Sequence, residues 1–226
     1  LPGKIGIGHI RWATHGAPSK ENAHPHVDCT EQVAVVHNGI IENFAELKRE
    51  LEDKGHVFRS KTDSEVICHL IEENLKKGKP FIEATRETIN RLEGSYAIAV
   101  IYAKQPDQII GFQKESSLTI GVAENAICLA SDPPTFLPLT NRAVTLENQE
   151  LAIISYEKYE IRKITDWSLV SREPKLIEWV PEKAEKLGYP HFMLKEIHDQ
   201  PSSIRSTLRL QDQYLELMTT FLDRAK

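Results

Sequence analysis

Cysteine, positive charge and long apolar runs are all scarce in this 226-residue chain. The three cysteines, at positions 29, 68 and 128, are too few and too widely spaced for a disulfide framework, so a reducing compartment, the cytoplasm, is expected. With 28 Lys and Arg against 33 Asp and Glu, the net charge is −5. Duplex affinity rests on many basic contacts to phosphate, so no nucleic-acid partner is expected. No apolar run approaches the roughly 20 residues that span a bilayer, and no membrane segment is expected. Leu1-Pro2-Gly3-Lys4 leads straight into a strand-like run and does not read as a signal peptide. An initiating Met is lacking too, which reads as processing or as a piece of a longer protein. There is no internal repeat and no low-complexity tract. The 40% hydrophobic and 27% charged content is that of an ordinary globular protein, with room for one large domain or a domain plus a tail.

The patterning predicts mixed architecture. Residues 5–12 (IGIGHIRW) read as a strand ending in a polar loop, and residues 33–37 (VAVVH) as a second strand closed by an Asn38-Gly39 turn. A helix is expected over about 44–54, with Asn43 as cap, Glu46 at the third helical position and Gly55 as stop. Its Phe44, Leu47 and Leu51 share one face. Thr62-Asp63-Ser64-Glu65 reads as a capping box for a helix to about 77, stopped by Gly78, and a third helix is expected over about 81–93. From 95 to 164 the chain breaks into short β-rich runs: SYAIAVIY, QIIGF, LTIGVA, AICLAS, RAVTLE, ELAIIS and YEIRKI. Residues 165–190 are irregular and carry Pro174, Pro181 and Pro190, and 191–226 return to helical character. A layered α/β or α+β domain follows from this order.

The chemistry concentrates between Gly8 and Gly39, which hold five of the nine histidines. An Arg at the end of a strand, Arg11, can clamp a carboxylate with two parallel hydrogen bonds, or simply sit on the surface. Asn38-Gly39 can be a hairpin turn, or can offer a side-chain amide and a backbone N–H to an oxyanion. Asp63 can begin a helix, or can accept from a substrate ammonium. His24-Pro25-His26 with Cys29, and His9, His15 and His37 besides, raise the question of zinc. A Pro between two His does not match zinc-ligand spacings and no second cysteine pair follows, so neither metal nor cofactor is expected. His37 is expected to satisfy buried backbone groups, and the three cysteines are expected to be structural.

Taken together, RWATHG (11–16), NAHPH (22–26), HNGIIEN (37–43) and TDSEVI (62–67) resemble the glutaminase domain of the glutamine–fructose-6-phosphate aminotransferase family. That domain belongs to the class II glutamine amidotransferases, of the N-terminal-nucleophile (Ntn) hydrolase type. HFMLKEIHDQP (191–201) resembles the stretch that leads into the sugar-isomerising half. The resemblance covers about residues 3–210 and departs at QKESSLTIG (113–121), where the family more often has a basic residue and a Gly-Ser-Pro-Leu type turn.

The resemblance implies an α+β fold, a four-layer αββα sandwich truncated at its N-terminus. It implies a glutaminase over 1–190, and over 191–226 a linker and the start of the isomerase half. Arg11 would bind the α-carboxylate of L-glutamine, helped by Thr14 and His15. Asp63 would bind the α-ammonium, Asn38 and Gly39 the oxyanion, and Trp12 would lie on a loop that closes over the site. The family's nucleophile is an N-terminal cysteine whose own α-amine, with a pKa near 7.7–8.0, serves as base. This sequence starts at Leu1, so about 60 upstream residues of the family pattern, nucleophile included, are expected to lie outside it. The parent would be a cytoplasmic homodimer that transfers ammonia to fructose 6-phosphate, and the fragment alone would be inactive. The competing readings are another class II enzyme, such as an amidophosphoribosyltransferase, and a non-catalytic glutamine-binding domain.

Overall fold

The computed structural model describes residues 3–11, 16–156, 158–177 and 186–224, with the side chains of the last helix described only to 208. The chain divides into two compact units, 1–177 and 178–226.

Among its described residues the first unit holds two antiparallel sheets and three helices. Strands β1 (His26–Val27), β2 (Val33–Ile41), β3 (Gly94–Tyr102), β4 (Gln105–Lys114), β8 (Glu150–Ile154), β9 (Tyr159–Lys163) and β10 (Leu169–Val170) form the larger sheet in the order β1-β2-β3-β4-β8-β9-β10. Strands β5 (Thr119–Val122), β6 (Ile127–Ala130), β7 (Arg142–Thr145) and β11 (Lys175–Leu176) form the smaller, ordered β11-β7-β5-β6. All seven β-rich runs expected from the sequence are strands.

Alternation sorts their side chains, because successive residues of a strand face opposite sides. Val33, Val35, Tyr96, Ile98, Val100, Ile110, Phe112 and Leu151 point to one face of the large sheet. There they meet α1 (Phe44–Asp53), α2 (Glu65–Lys76) and α3 (Phe81–Ile89) through Leu47, Leu51, Ile67, Leu70, Ile71 and Phe81. Ala97, Ala152 and Ile154 point the other way, onto Leu118, Ile120, Val144 and Leu146 of the small sheet and its flanks. Gly111 permits the close approach of the sheets, since a Cβ there would lie 2.3 Å from Leu129 Cδ2. On the outer face of the small sheet, Phe136 packs on Ala130 and Ala143. The layer order is therefore helix, sheet, sheet, with a 3₁₀ turn at Pro133–Thr135 leading into Phe136.

Four local expectations are corrected. Residues 5–11 form no strand, although 5, 7, 9 and 11 are half-buried and 4, 6, 8 and 10 exposed. The alternation is present, but no described neighbour pairs with it. Residues 4–10 instead border a cavity of about 740 Å³, with Ala97, Ile109, Leu118 and Leu129. Asn38-Gly39 is not a turn: β2 runs through it, pairing Asn38 with Ala97 and Gly39 with Tyr96. Asn43 precedes α1 but its side chain does not cap it. Its amide instead spans to the α3–β3 connection, donating to Arg91 O at 2.9 Å and accepting from Glu93 N at 3.1 Å. The capping box does not form either, and Ser64 caps α2 without a side-chain bond. The Gly55 and Gly78 stops hold, both at positive φ (90° and 81°).

Among its described residues the second unit contains one long helix, α4 (Phe192–Arg224), with Pro201 inside it. Among its described positions Phe192, Met193, Leu194, Ile197, Ile204 and Leu208 are exposed.

Candidate functional site

A pocket of about 290 Å³ gathers residues from separate parts of the chain. His9, Ile10 and Arg11 come from the extended N-terminal run, His24 from the following loop, His37 to Ile40 from β2, and Thr62, Asp63 and Ser64 from the approach to α2. Arg11, Asn38, Gly39 and Asp63, 52 positions apart at the extremes (63 − 11), thus line one space. Trp12, Thr14 and His15 lie outside the described residues.

The open edge of β2 organises the site. β1 pairs with β2 only as far as Val35, so the remaining outward-facing groups need other partners. His37 N–H donates to His24 Nδ1 at 3.2 Å and Ile41 N–H to Asp63 Oδ2 at 2.8 Å. In an antiparallel strand the N–H direction repeats every second residue, so Gly39, midway between them, aims its N–H at the same edge. Gly39 has φ of 113° and pairs with Tyr96 so tightly that a Cβ would sit 2.2 Å from Ser95 O.

Asn38 is oriented by His9, whose Nε2 lies 2.7 Å from Asn38 Oδ1. With the oxygen taken, the amide NH₂ is the group left for an incoming acceptor. Arg11 donates to Gly16 O at 2.9 Å and Ala17 O at 3.3 Å, which ties it to the next loop. Asp63 is 3% exposed, with its carboxylate set by the Ile41 bond.

The histidines stack rather than point at a common centre. His9 and His24 stack at 4.2 Å, and His24 meets His26 edge-on at 4.7 Å. His37 Nδ1 lies 2.8 Å from Ser64 Oγ, a side-chain partner rather than the expected backbone one. Burial, with the neighbouring His26, His9, His37 and Arg11, pushes His24 down to about 3. Burial lowers His37 to about 4 although Asp63 pulls the other way, and it lowers His26 too. These three rings are neutral near pH 7. Sequence reasoning did not assign His9, His24 and Ser64 to the pocket. The density of histidine was the available signal, and it does not say which ring faces where.

Two antiparallel sheets under a helical layer are the fold of the Ntn-type amidotransferases. The glutamine amidotransferase domain family matches residues 9–138, and the chain belongs to that family. Among curated relatives, the glutamine–fructose-6-phosphate aminotransferase (isomerizing) of Thermococcus kodakarensis is 51% identical over 208 residues, covering 92% of this chain and 35% of the relative. That of Pyrococcus horikoshii is 52% identical over 208 residues with the same coverage, and that of Methanothermobacter thermautotrophicus 49% over 217. The chain spans about a third of the length of these relatives. Among solved structures, the glutamine phosphoribosylpyrophosphate amidotransferase of B. subtilis, complexed with ADP and GMP, matches at a TM-score of 0.57 and 26% identity, over 70% of this chain and 34% of that one. A second, described as the allosteric regulatory enzyme of purine biosynthesis, matches at 0.58 and 27% over the same shares.

Proposed function

We propose that this chain is the glutamine-binding wall of an enzyme that hydrolyses L-glutamine and passes the ammonia to fructose 6-phosphate, giving glucosamine 6-phosphate and glutamate. The observation that carries it is the 290 Å³ pocket in which Arg11, Asn38, Gly39 and Asp63 meet beside the neutral rings of His24 and His37. A guanidinium and a carboxylate facing one space match the carboxylate and ammonium of an amino-acid zwitterion. Two N–H donors between them match the oxyanion that forms when a nucleophile adds to the side-chain amide.

In this reading Arg11 holds the α-carboxylate, with Thr14 and His15, and Asp63 the α-ammonium. A cysteine thiol outside these 226 residues attacks the amide carbon. Asn38 Nδ2 and Gly39 N–H hold the tetrahedral oxygen, ammonia leaves, and water releases glutamate from the thioester. Trp12 belongs to a loop that excludes water while this happens. We assign 1–190 to the glutaminase and 191–226 to the linker and the start of the sugar-isomerising half. The protein containing this chain is proposed to be cytoplasmic and homodimeric through that half. No described helix is long and apolar enough to cross a membrane.

Identity near 50% with the fructose-6-phosphate enzymes, against 26–27% with the purine enzymes, favours the former acceptor over phosphoribosylpyrophosphate. The test uses the full-length protein, with glutaminase and acceptor-dependent activities measured separately. Arg11→Ala should raise the glutamine KM severely, and Asn38→Ala should lower kcat by roughly 10²–10³. Near-normal constants in both variants refute the site, whereas product formed only from phosphoribosylpyrophosphate refutes the acceptor alone.

A further inference from the structure

A second group of reactive side chains lies away from the glutamine pocket. Cys29 follows β1, His56 follows α1, and His69 and Glu72 stand three residues apart on α2. One donor atom from each falls within 4.8 Å of all the others. His56 Nδ1 and His69 Nδ1 are 3.2 Å apart, and Cys29 Sγ is 3.6 Å from each. Glu72 Oε2 is 3.1 Å from His56 Nδ1 and 3.4 Å from His69 Nδ1. A tetrahedral zinc ion with nitrogen and oxygen near 2.0–2.1 Å and sulfur near 2.3 Å requires N···N and N···O edges of about 3.3 Å and S···N edges of about 3.6 Å. Five of the six edges fall within about 0.2 Å of those values, and the sixth, between Cys29 Sγ and the Glu72 carboxylate, lies within 4.8 Å.

The surroundings agree. His56 Nε2 lies 2.9 Å from Glu73 Oε1, and His69 Nε2 faces Glu65 Oε1 at 3.5 Å. With those outward nitrogens donating to the carboxylates, both Nδ1 atoms, 3.2 Å apart, would present lone pairs to each other and to Glu72 Oε2. A shared cation turns that repulsion into two bonds. One thiolate and one carboxylate would balance the two positive charges of zinc, as a buried site needs, and His56, His69 and Glu72 are each under 5% exposed. Val57 N–H points at Cys29 Sγ at 3.5 Å, as backbone donors do toward a metal-bound thiolate.

We propose that Cys29, His56, His69 and Glu72 bind one zinc ion in a closed structural site. Four protein ligands leave no position for substrate, so its work is to fasten α2 to the β1–β2 and α1–α2 connections. Asp63 and Ser64, at the approach to α2, line the glutamine pocket, so the ion would also steady that wall. The proposal rests on the geometry of these ligands and not on the assigned reaction.

The test is zinc content by inductively coupled plasma mass spectrometry on the purified protein, with Cys29→Ser and His69→Ala variants alongside. One zinc per chain in the wild type and roughly tenfold less in both variants supports the site; zinc retained in both variants, or none taken up by the wild type from added zinc, overturns it. Should the variants fail to fold, the wild type alone decides. Its Cys29 is alkylated with iodoacetamide before and after chelator treatment and after zinc is restored, and the modification is mapped by mass spectrometry. Zinc should slow alkylation of Cys29 at least about tenfold, and equal rates in the two states overturn the proposal.

Discussion

A methyl group at position 39 would lie 2.2 Å from the Ser95 carbonyl oxygen and 2.8 Å from Tyr96 Cα, both backbone atoms that cannot swing aside. Gly39 also holds φ of 113°, where an L side chain is strained. Gly39→Ala should therefore destabilise the protein by roughly 2–4 kcal/mol, read from urea unfolding. A loss below about 0.5 kcal/mol would mean that the strand is not held in this conformation. The histidines offer a second residue-level test. His24 and His37 titrate near 3 and 4 when folded but near the ordinary 6.5 when unfolded. As pH falls below about 6.5 the unfolded chain takes up protons that the folded rings refuse, so stability is whole above that pH and is lost progressively toward 4. Each ring contributes a slope of up to about 1.4 kcal/mol per pH unit. Unfolding free energies that stay flat between pH 6.5 and 4.5 would contradict the buried neutral state.

At the scale of elements, the hairpin of β1 and β2 depends on Asp28, which is 1% exposed. Its Oδ1 accepts from the N–H groups of Gln32 and Val33, each at 2.7 Å, and its Oδ2 from Thr30 Oγ1 at 2.5 Å and Thr30 N at 3.2 Å. Asp28→Ala would leave the buried Val33 N–H without a partner and release the turn. A loss of about 2–3 kcal/mol in the same unfolding assay is expected, with Asp28→Asn, which keeps one acceptor oxygen, between the two. The three helices α1 to α3 were legible because apolar residues recur at three and four positions and Gly55 and Gly78 mark the stops. The caps were not legible. Asn43 and Glu65 carry side chains that can bond their own helix, yet Asn43 bonds Arg91 and Glu93, 48 and 50 positions on, and Glu65 turns back to the preceding loop. Glu65 accepts instead from Arg59 N at 2.8 Å and Ser60 N at 2.7 Å. Burial alone would raise its pKa, but hydrogen bonds from His69, Arg59 and Ser60 hold it at about 2.

Over the whole molecule, the two sheets approach closely at Gly111 against Leu129, where a Cβ would lie 2.3 Å from Leu129 Cδ2. Gly111→Ala should cost about 1–2 kcal/mol, because the added Cβ meets a Leu129 methyl group rather than backbone. Leu129→Ala made in the same chain should recover part of that loss, so a double-mutant cycle gives a favourable coupling. Strict additivity would show that the sheets do not touch there.

The sequence by itself determined the helices and the strands from β2 to β9 outside the short pairings, because hydrophobic period is a local property of a segment. It also held residues of the 290 Å³ pocket, since Arg11, Asn38, Gly39 and Asp63 sit in motifs that stand out by type and order. Only the tertiary structure decided that Asn38-Gly39 is the middle of a strand rather than a turn. A turn signal is a preference of a dipeptide, and here pairing with Ala97 and Tyr96 overrides it. Only the tertiary structure, likewise, brought Cys29 to His56, His69 and Glu72, 43 positions apart at the extremes (72 − 29). No spacing rule reads such a set, because a site of this kind is made by three chain segments meeting in space.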